Sequence, residues 1–307
     1  MDTVILQWIS SLAGITADTL ILQTVSSLVT ASILFLFASG LTLVFGVTRI
    51  LNIAHGTFYM LAGFLAFTLT QVVAGSPFTF WIALAIAPLL VAALSGLVEV
   101  LLLRRIYGKD VLLQVLLTVA LIFVFGDVIR FIWGLTQKNV PFPVQLTGPI
   151  SVGGVIFPIY YTLVMGMAVA IGIAMWYALY QTRWGTLLRA ATQDREMTSA
   201  LGVDERRLFT GVFIVSCWLA GMAGVLAAPT ITIGLGMDMT AVIDGFAVIV
   251  VGGLGSLPGA VLSAVLMGLV KGFGILVVPQ FALVFVFAIM AVVLILRPCG
   301  LMGKPEN

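Results

Sequence analysis

Of 307 residues, 62% are hydrophobic and 8% charged, far below the roughly 25% charged content of ordinary globular domains. That composition excludes a soluble enzyme and marks an integral membrane protein. The net charge of +2 offers nucleic acid no basic surface.

Several apolar runs reach the ~20 residues that cross ~30 Å of hydrocarbon as a helix, and the alternation of a membrane β-barrel is absent. The expected fold is therefore all-α and polytopic. Segments between the runs are short, so a single transmembrane domain over 23–307 is expected, preceded by an outer-face segment, 1–22. That segment carries Asp2 and no basic stretch, so no cleaved signal peptide is expected. Its apolar positions, Val4 to Leu12, fit an interfacial helix as well as a loose tail.

In chain order the spans are predicted near 24–46, 55–74, 79–103, 112–133, 158–180, 209–228, 239–253, 259–278 and 281–297, giving eight or nine crossings. The seventh is short and runs into VGGLGSLPGA, where Gly252, Gly253, Gly255, Pro258 and Gly259 disfavour continuous helix. A broken or re-entrant element is expected near 239–258, buried in protein or lining a polar cavity, because lipid cannot satisfy free backbone groups. Between Gly134 and Phe157, prolines and glycines predict an ordered external loop with room for a short hairpin.

Orientation follows from the basic residues. With the loop 181–208 cytoplasmic, all but Arg130, Lys138 and Lys271 of the 14 Lys and Arg fall on the cytoplasmic side. The amino end then faces out and the carboxyl end in. The sequence TRWGTLLRAATQDREMTSALGVD, 182–204, is the one sizeable polar block, and mixes Arg with Asp and Glu among small residues. It reads as a solvated loop or as a docking element for a soluble partner.

Catalytic signatures are missing. His55 is the only histidine, no HExxH exists, and no P-loop can hold ATP, so neither a metal nor a nucleotide cofactor is expected. Cys217 and Cys299 lack CxxC spacing and read as structural. In LNIAHGTFYMLAG, Asn52, His55 and Tyr59 stand at helical spacings of three and four. They could line the cytoplasmic end of a pathway, or Asn52 could cap a helix whose other residues pack. Gly56 and Gly63 admit a close neighbour, as does the Gly268/Gly272 spacing.

Charges within spans cost about 2.5–3.5 kcal/mol at the centre and so face protein or water. Glu99 is expected to pair with Arg104 or Arg105 at the interface, and Asp127 with Arg130 at i, i+3. Asp244 is expected near the outer mouth of the broken element, with Lys271 snorkelling outward, and both are candidates for touching solute.

LNIAHGTFYMLAG, the 182–204 loop and VGGLGSLPGAVLSAVLMG, in this order and spacing, resemble the shorter, H-type permease of branched-chain amino acid ABC importers along nearly the whole chain. Urea, amide and aromatic-acid importers share that permease family. The resemblance implies a homologous second permease, two cytoplasmic ATPases, a periplasmic solute-binding protein and a small-molecule solute, in the inner membrane of a bacterium. It also implies that the loop couples to the ATPase, through Gly185, Arg189, Ala190, Asp194, Ala200 and Gly202. Where the family commonly has an aromatic and an acidic residue, this chain has Ile53 and Thr57. The competing reading is an ion-coupled secondary transporter or channel using Asp127, Asp244 or Lys271.

Overall fold

The computed structural model describes residues 16–48, 52–73, 75–152 and 154–303. Residues 1–15, Arg49 and Lys304, used above for the outer segment and the orientation, lie outside the described residues. Nine apolar helices are present among those described: α1 (Ala17–Thr48), α2 (His55–Val72), α3 (Thr79–Leu101), α4 (Val111–Trp133), α5 (Tyr160–Gln181), then, after two short polar helices α6 (Arg183–Gln193) and α7 (Arg195–Ala200), α8 (Glu205–Ala227), α9 (Met237–Gly252), α10 (Leu257–Val277) and α11 (Ala282–Leu296). Six of the nine are long and apolar enough to cross a membrane by length and composition. The protein is all-α and polytopic, and residues 17–22 form the first turns of α1.

The centre of the bundle is α1. Leu34 to Val44 are buried without interruption, as expected for a helix that is apolar on every side. It packs against α10, α8, α5 and α9, while α8 also packs on α3 and α2. Small residues set these approaches. A Cβ on Gly268 would stand 2.6 Å from Cβ of Ala31, and one on Gly272 would meet Oγ of Ser27, so the GxxxG of α10 is consumed in crossing α1. On α8, Gly224 lies against the Tyr59 carbonyl, and a Cβ on Gly221 would be 2.9 Å from Cα of Pro88 inside α3.

Several polar side chains inside the bundle are satisfied by partners on neighbouring helices. Ser216 Oγ donates to the Gly40 carbonyl at 2.7 Å, Tyr160 Oη to that of Leu226 at 2.8 Å, and Trp133 Nε1 to Thr68 Oγ1 at 2.7 Å. Between α4 and α5, strands β1 (Pro149–Val152) and β2 (Val155–Pro158) pair antiparallel with Ile150 opposite Phe157. Lys138 exchanges backbone hydrogen bonds of 2.8 and 2.9 Å with Ile233, tying this loop to the α8–α9 connection.

The seventh span ends as a break. α9 stops at Gly252; Gly253 (φ 99°) and Gly255 (φ 80°) take left-handed conformations closed to other side chains, and Ser256 caps α10 through Gly259 N–H at 3.2 Å. Pro258 lies in the first turn of α10, where its missing N–H costs nothing, so the two glycines make the interruption. Amides of Leu301 and Met302 donate to the carbonyls of Val251 and Gly252 at 2.8 and 3.0 Å.

Three expectations about charges are corrected. Asp127 and Arg130 are both exposed and form no ion pair; the ion pairs among the described residues are Arg104–Glu99, Arg207–Asp204 and Lys271–Asp244. Lys271 does not snorkel outward but reaches across to Asp244. Glu99 pairs with Arg104 at 3.5 Å, yet its side chain is 0% exposed rather than interfacial, and its Oε2 accepts from Thr210 Oγ1 at 2.7 Å.

Candidate translocation site and coupling element

Two of the cavities along α1 have charged side chains in their lining. The first, about 300 Å³, faces the stretch from Ser26 to Phe37 and is closed by Tyr59, Tyr161, Thr230, Asp244 and Lys271. The second, about 580 Å³, faces Ser39 to Val47 and is bounded by the end of α5, by α6 and by the glycine break at 254–258.

Between them α1 is tightly packed. The Phe37 ring meets His55 at 4.8 Å and Tyr59 at 5.5 Å between centroids. A Cβ on Gly40 would stand 2.7 Å from the Ser216 carbonyl oxygen and 3.0 Å from the His55 ring. Gly40 is thus the point where α8 and His55 both reach α1.

His55 and Tyr59 do share a face of α2, since i and i+4 lie one above the other. Asn52 does not share it. The helix begins at His55, after Ala54, and Asn52 sits in the preceding turn, accepting the His55 N–H on its backbone carbonyl at 3.2 Å. Its side chain caps nothing: both polar atoms are buried without a hydrogen-bond partner. His55 Nε2 is 3.2 Å from the Phe37 carbonyl, while Nδ1 has no partner. The His55 ring stands beside Gly40, where the carbonyl of Ser216, in the middle of α8, also approaches α1. Gly56 admits the backbone of Asp238 and the side chain of Val242 where a Cβ would collide, which brings α9 onto α2.

Asp244 lies halfway along α9, and its Oδ2 accepts from Lys271 Nζ of α10. Only Tyr59 and Asp244 of the four pathway candidates line the first cavity; Asn52 and His55 are buried behind it. Sequence reading missed Phe37, Tyr161 and Thr230, which no local pattern distinguishes from packing.

The 182–204 loop folds as two short helices meeting at Asp194. Thr182 caps α6 through Gly185 N–H at 3.2 Å, and Asp194 caps α7 through Met197 N–H at 2.9 Å, as short acidic and hydroxyl residues do at helix starts. Gly185 is required because a Cβ there would run into the Leu179 and Ala178 carbonyls. Arg189 folds back onto the end of α5, donating to the Leu179 carbonyl and lying 5.4 Å over the Tyr180 ring. Asp194 and Arg189 therefore brace the loop itself. Gly202 (φ 84°) turns the chain after α7.

Leu188, Arg189, Thr192 and Gln193 of α6 line the second cavity. On the other side Ala190, Ala200 and Gly202 are exposed, beside Leu187 (40%), Met197 (59%) and Leu201 (78%). The last three were not picked out from sequence; they leave large apolar side chains exposed on a polar two-helix element.

The profile of the family described as branched-chain amino acid transport system, permease component, matches residues 23–294. The chain belongs to this family. Among curated proteins the permease is similar to the high-affinity branched-chain amino acid transport permease BraD of Pseudomonas aeruginosa, 27% identical over 294 residues covering 92% of this chain and 96% of BraD. It is also similar to LivH of Escherichia coli, 24% identical over 285 residues covering 88% of this chain and 91% of LivH. A probable LivH of Methanocaldococcus jannaschii is 25% identical over 295 residues, 90% of either chain.

Membership of a permease family makes this chain a multi-pass translocation component rather than an enzyme. It also decides against the ion-coupled secondary transporter, since permeases of this family act with ATPase and solute-binding partners.

Proposed function

We propose that this chain is the H-type translocation subunit of a binding-protein-dependent, ATP-driven importer for branched-chain amino acids or a related small solute. A homologous second permease stands beside it in the inner membrane, two ATPases bind below and a periplasmic solute-binding protein binds above. The Lys and Arg distribution sets the amino end outside and the carboxyl end in the cytoplasm, so the first cavity is the outer one and the second the inner. Asn52, His55, Tyr59 and Asp244 belong to the pathway, and Gly185, Arg189, Ala190, Asp194, Ala200 and Gly202 to the coupling element.

One observation carries this reading. α6 lines the inner cavity with Leu188 and Arg189 while α6 and α7 expose Leu187, Met197 and Leu201. An ATPase that grips the exposed face moves a wall of the cavity with no intermediate part. Arg189, anchored to the last turn of α5, passes the same movement to that span.

The test is uptake of radiolabelled leucine, isoleucine and valine into proteoliposomes holding the two permeases and ATPases. Uptake is expected only with ATP and binding protein together, and Leu201→Glu is expected to reduce ATPase co-purification. Uptake by the lone chain down a proton or sodium gradient would overturn the reading.

A further inference from the structure

We infer that Asp244 and Lys271 form a docking site in the outer cavity for the ammonium and carboxylate of a zwitterionic α-amino acid with an aliphatic side chain. The inference rests on the transport reading above and adds a solute-contacting site within the permease.

The pair is poorly explained as a structural device. Its side chains are 7% and 27% exposed, and a buried ion pair of this kind contributes little stability compared with apolar residues of the same volume. Charges inside spans more often mark a solute path. Here both groups open onto one cavity, at the size where small-ligand pockets begin.

The walls fit the rest of the solute. Val29, Ile33, Leu34 and Ala241 line the same cavity as the pair, as does Phe37. An aliphatic side chain can lie against them while the charged end meets Asp244 and Lys271.

The exchange conserves charge pairing. At rest Lys271 Nζ donates to Asp244 Oδ2. With solute present, the ammonium donates to Asp244 and the carboxylate accepts from Lys271, so one internal pair becomes two intermolecular ones. When the solute leaves, the internal pair re-forms, and neither protein charge is stranded in an apolar setting. A monocarboxylate or a simple amine satisfies only one group and leaves the other unpaired; an amide satisfies neither fully. The site therefore selects zwitterions and releases them readily, as a transit site must.

The full complex in proteoliposomes tests this with radiolabelled leucine. The double variant Asp244→Asn/Lys271→Met removes the pair without leaving a lone charge. If the pair docks solute, the double variant assembles with its ATPases but takes up leucine at least about tenfold more slowly. If the pair is only structural, the double variant transports like wild type even where the single variants fail, and that result overturns the inference.

A second measurement covers a double variant that fails to assemble. In a Cys299→Ser background, Ala241→Cys places a thiol on the cavity wall, and leucine is expected to slow its maleimide labelling in the otherwise unaltered complex while leucinamide does not. Equal labelling with and without leucine overturns the inference. Absence of ATP-dependent uptake by the wild-type complex would instead overturn the transport reading, leaving thiol protection to judge the site alone.

Discussion

The ring of Phe37 stands where a side chain on Gly245 would have to be, its Cδ1 2.6 Å from the position of such a Cβ. α1 and α9 therefore meet through one aromatic ring and one bare backbone, at the level where the two cavities are separated. Anything that widens α9 here pushes directly on the barrier.

Gly245→Ala is expected to destabilise the permease by about 1–3 kcal/mol, the usual cost of forcing extra volume into a packed core, and to lower uptake. Gly63→Ala is the control, because its Cβ would meet Ile233 at an ordinary 3.5 Å. Thermal unfolding of the purified complexes measures both; equal melting temperatures would show that Phe37 yields without cost.

Asn52 and His55 are expected to respond differently to replacement by Leu. Asn52→Leu removes two buried, unpartnered polar groups and is expected to raise stability by about 1 kcal/mol while lowering uptake. His55→Leu loses the 3.2 Å contact to the Phe37 carbonyl and is expected to lower both, stability by about 0.5–1.5 kcal/mol. Unchanged uptake for both variants would reduce this stretch to packing.

In the 182–204 loop, proposed above to couple to the ATPase, Gly202→Leu places a branched side chain at φ 84°, a strain of roughly 1–2 kcal/mol. It is expected to weaken ATPase co-purification or to uncouple hydrolysis from uptake. Arg189→Glu reverses the charge that holds α6 to the Leu179 carbonyl and is expected to do the same. A loop that merely connects two spans would absorb both changes within about 0.5 kcal/mol.

Near the base of α8, Arg104→Met strands the fully buried Glu99 carboxylate and is expected to cost about 3 kcal/mol or more. Glu99→Gln keeps an acceptor for Thr210 and leaves Arg104, 30% exposed, a route to water, so its cost is expected to be smaller. Chemical unfolding of the two variants compares them; the reverse order would show that Arg104 is the more dependent partner.

The nine apolar helices were legible because their signal is local: each is a run of apolar residues, and even the short α9 announced its end in VGGLGS. The hairpin and the caps at Thr182 and Asp194 follow from residue types that act within a few positions. What escaped was set by contacts far apart in the chain. Lys271 and Asp244 pair across two helices, and nothing near either residue encodes the other. Asp127 and Arg130 stand at a pairing distance in sequence yet make no pair, because spacing permits contact without imposing the side-chain conformations that complete it. The spacing of three between Asn52 and His55 sets them on one face only if the helix reaches back to Asn52, but it starts at His55, and helix boundaries are the part least defined by pattern.

The hydrogen bonds from Leu301 and Met302 to the end of α9 bear on the order of assembly. Carbonyls at Val251 and Gly252 are left open by the glycine break and are met by amides made much later in synthesis. While α10 and α11 are still emerging from the ribosome, the wall that Met302 adds to the second cavity is unfinished. The segment after α11 locks it, so this part of the permease matures last.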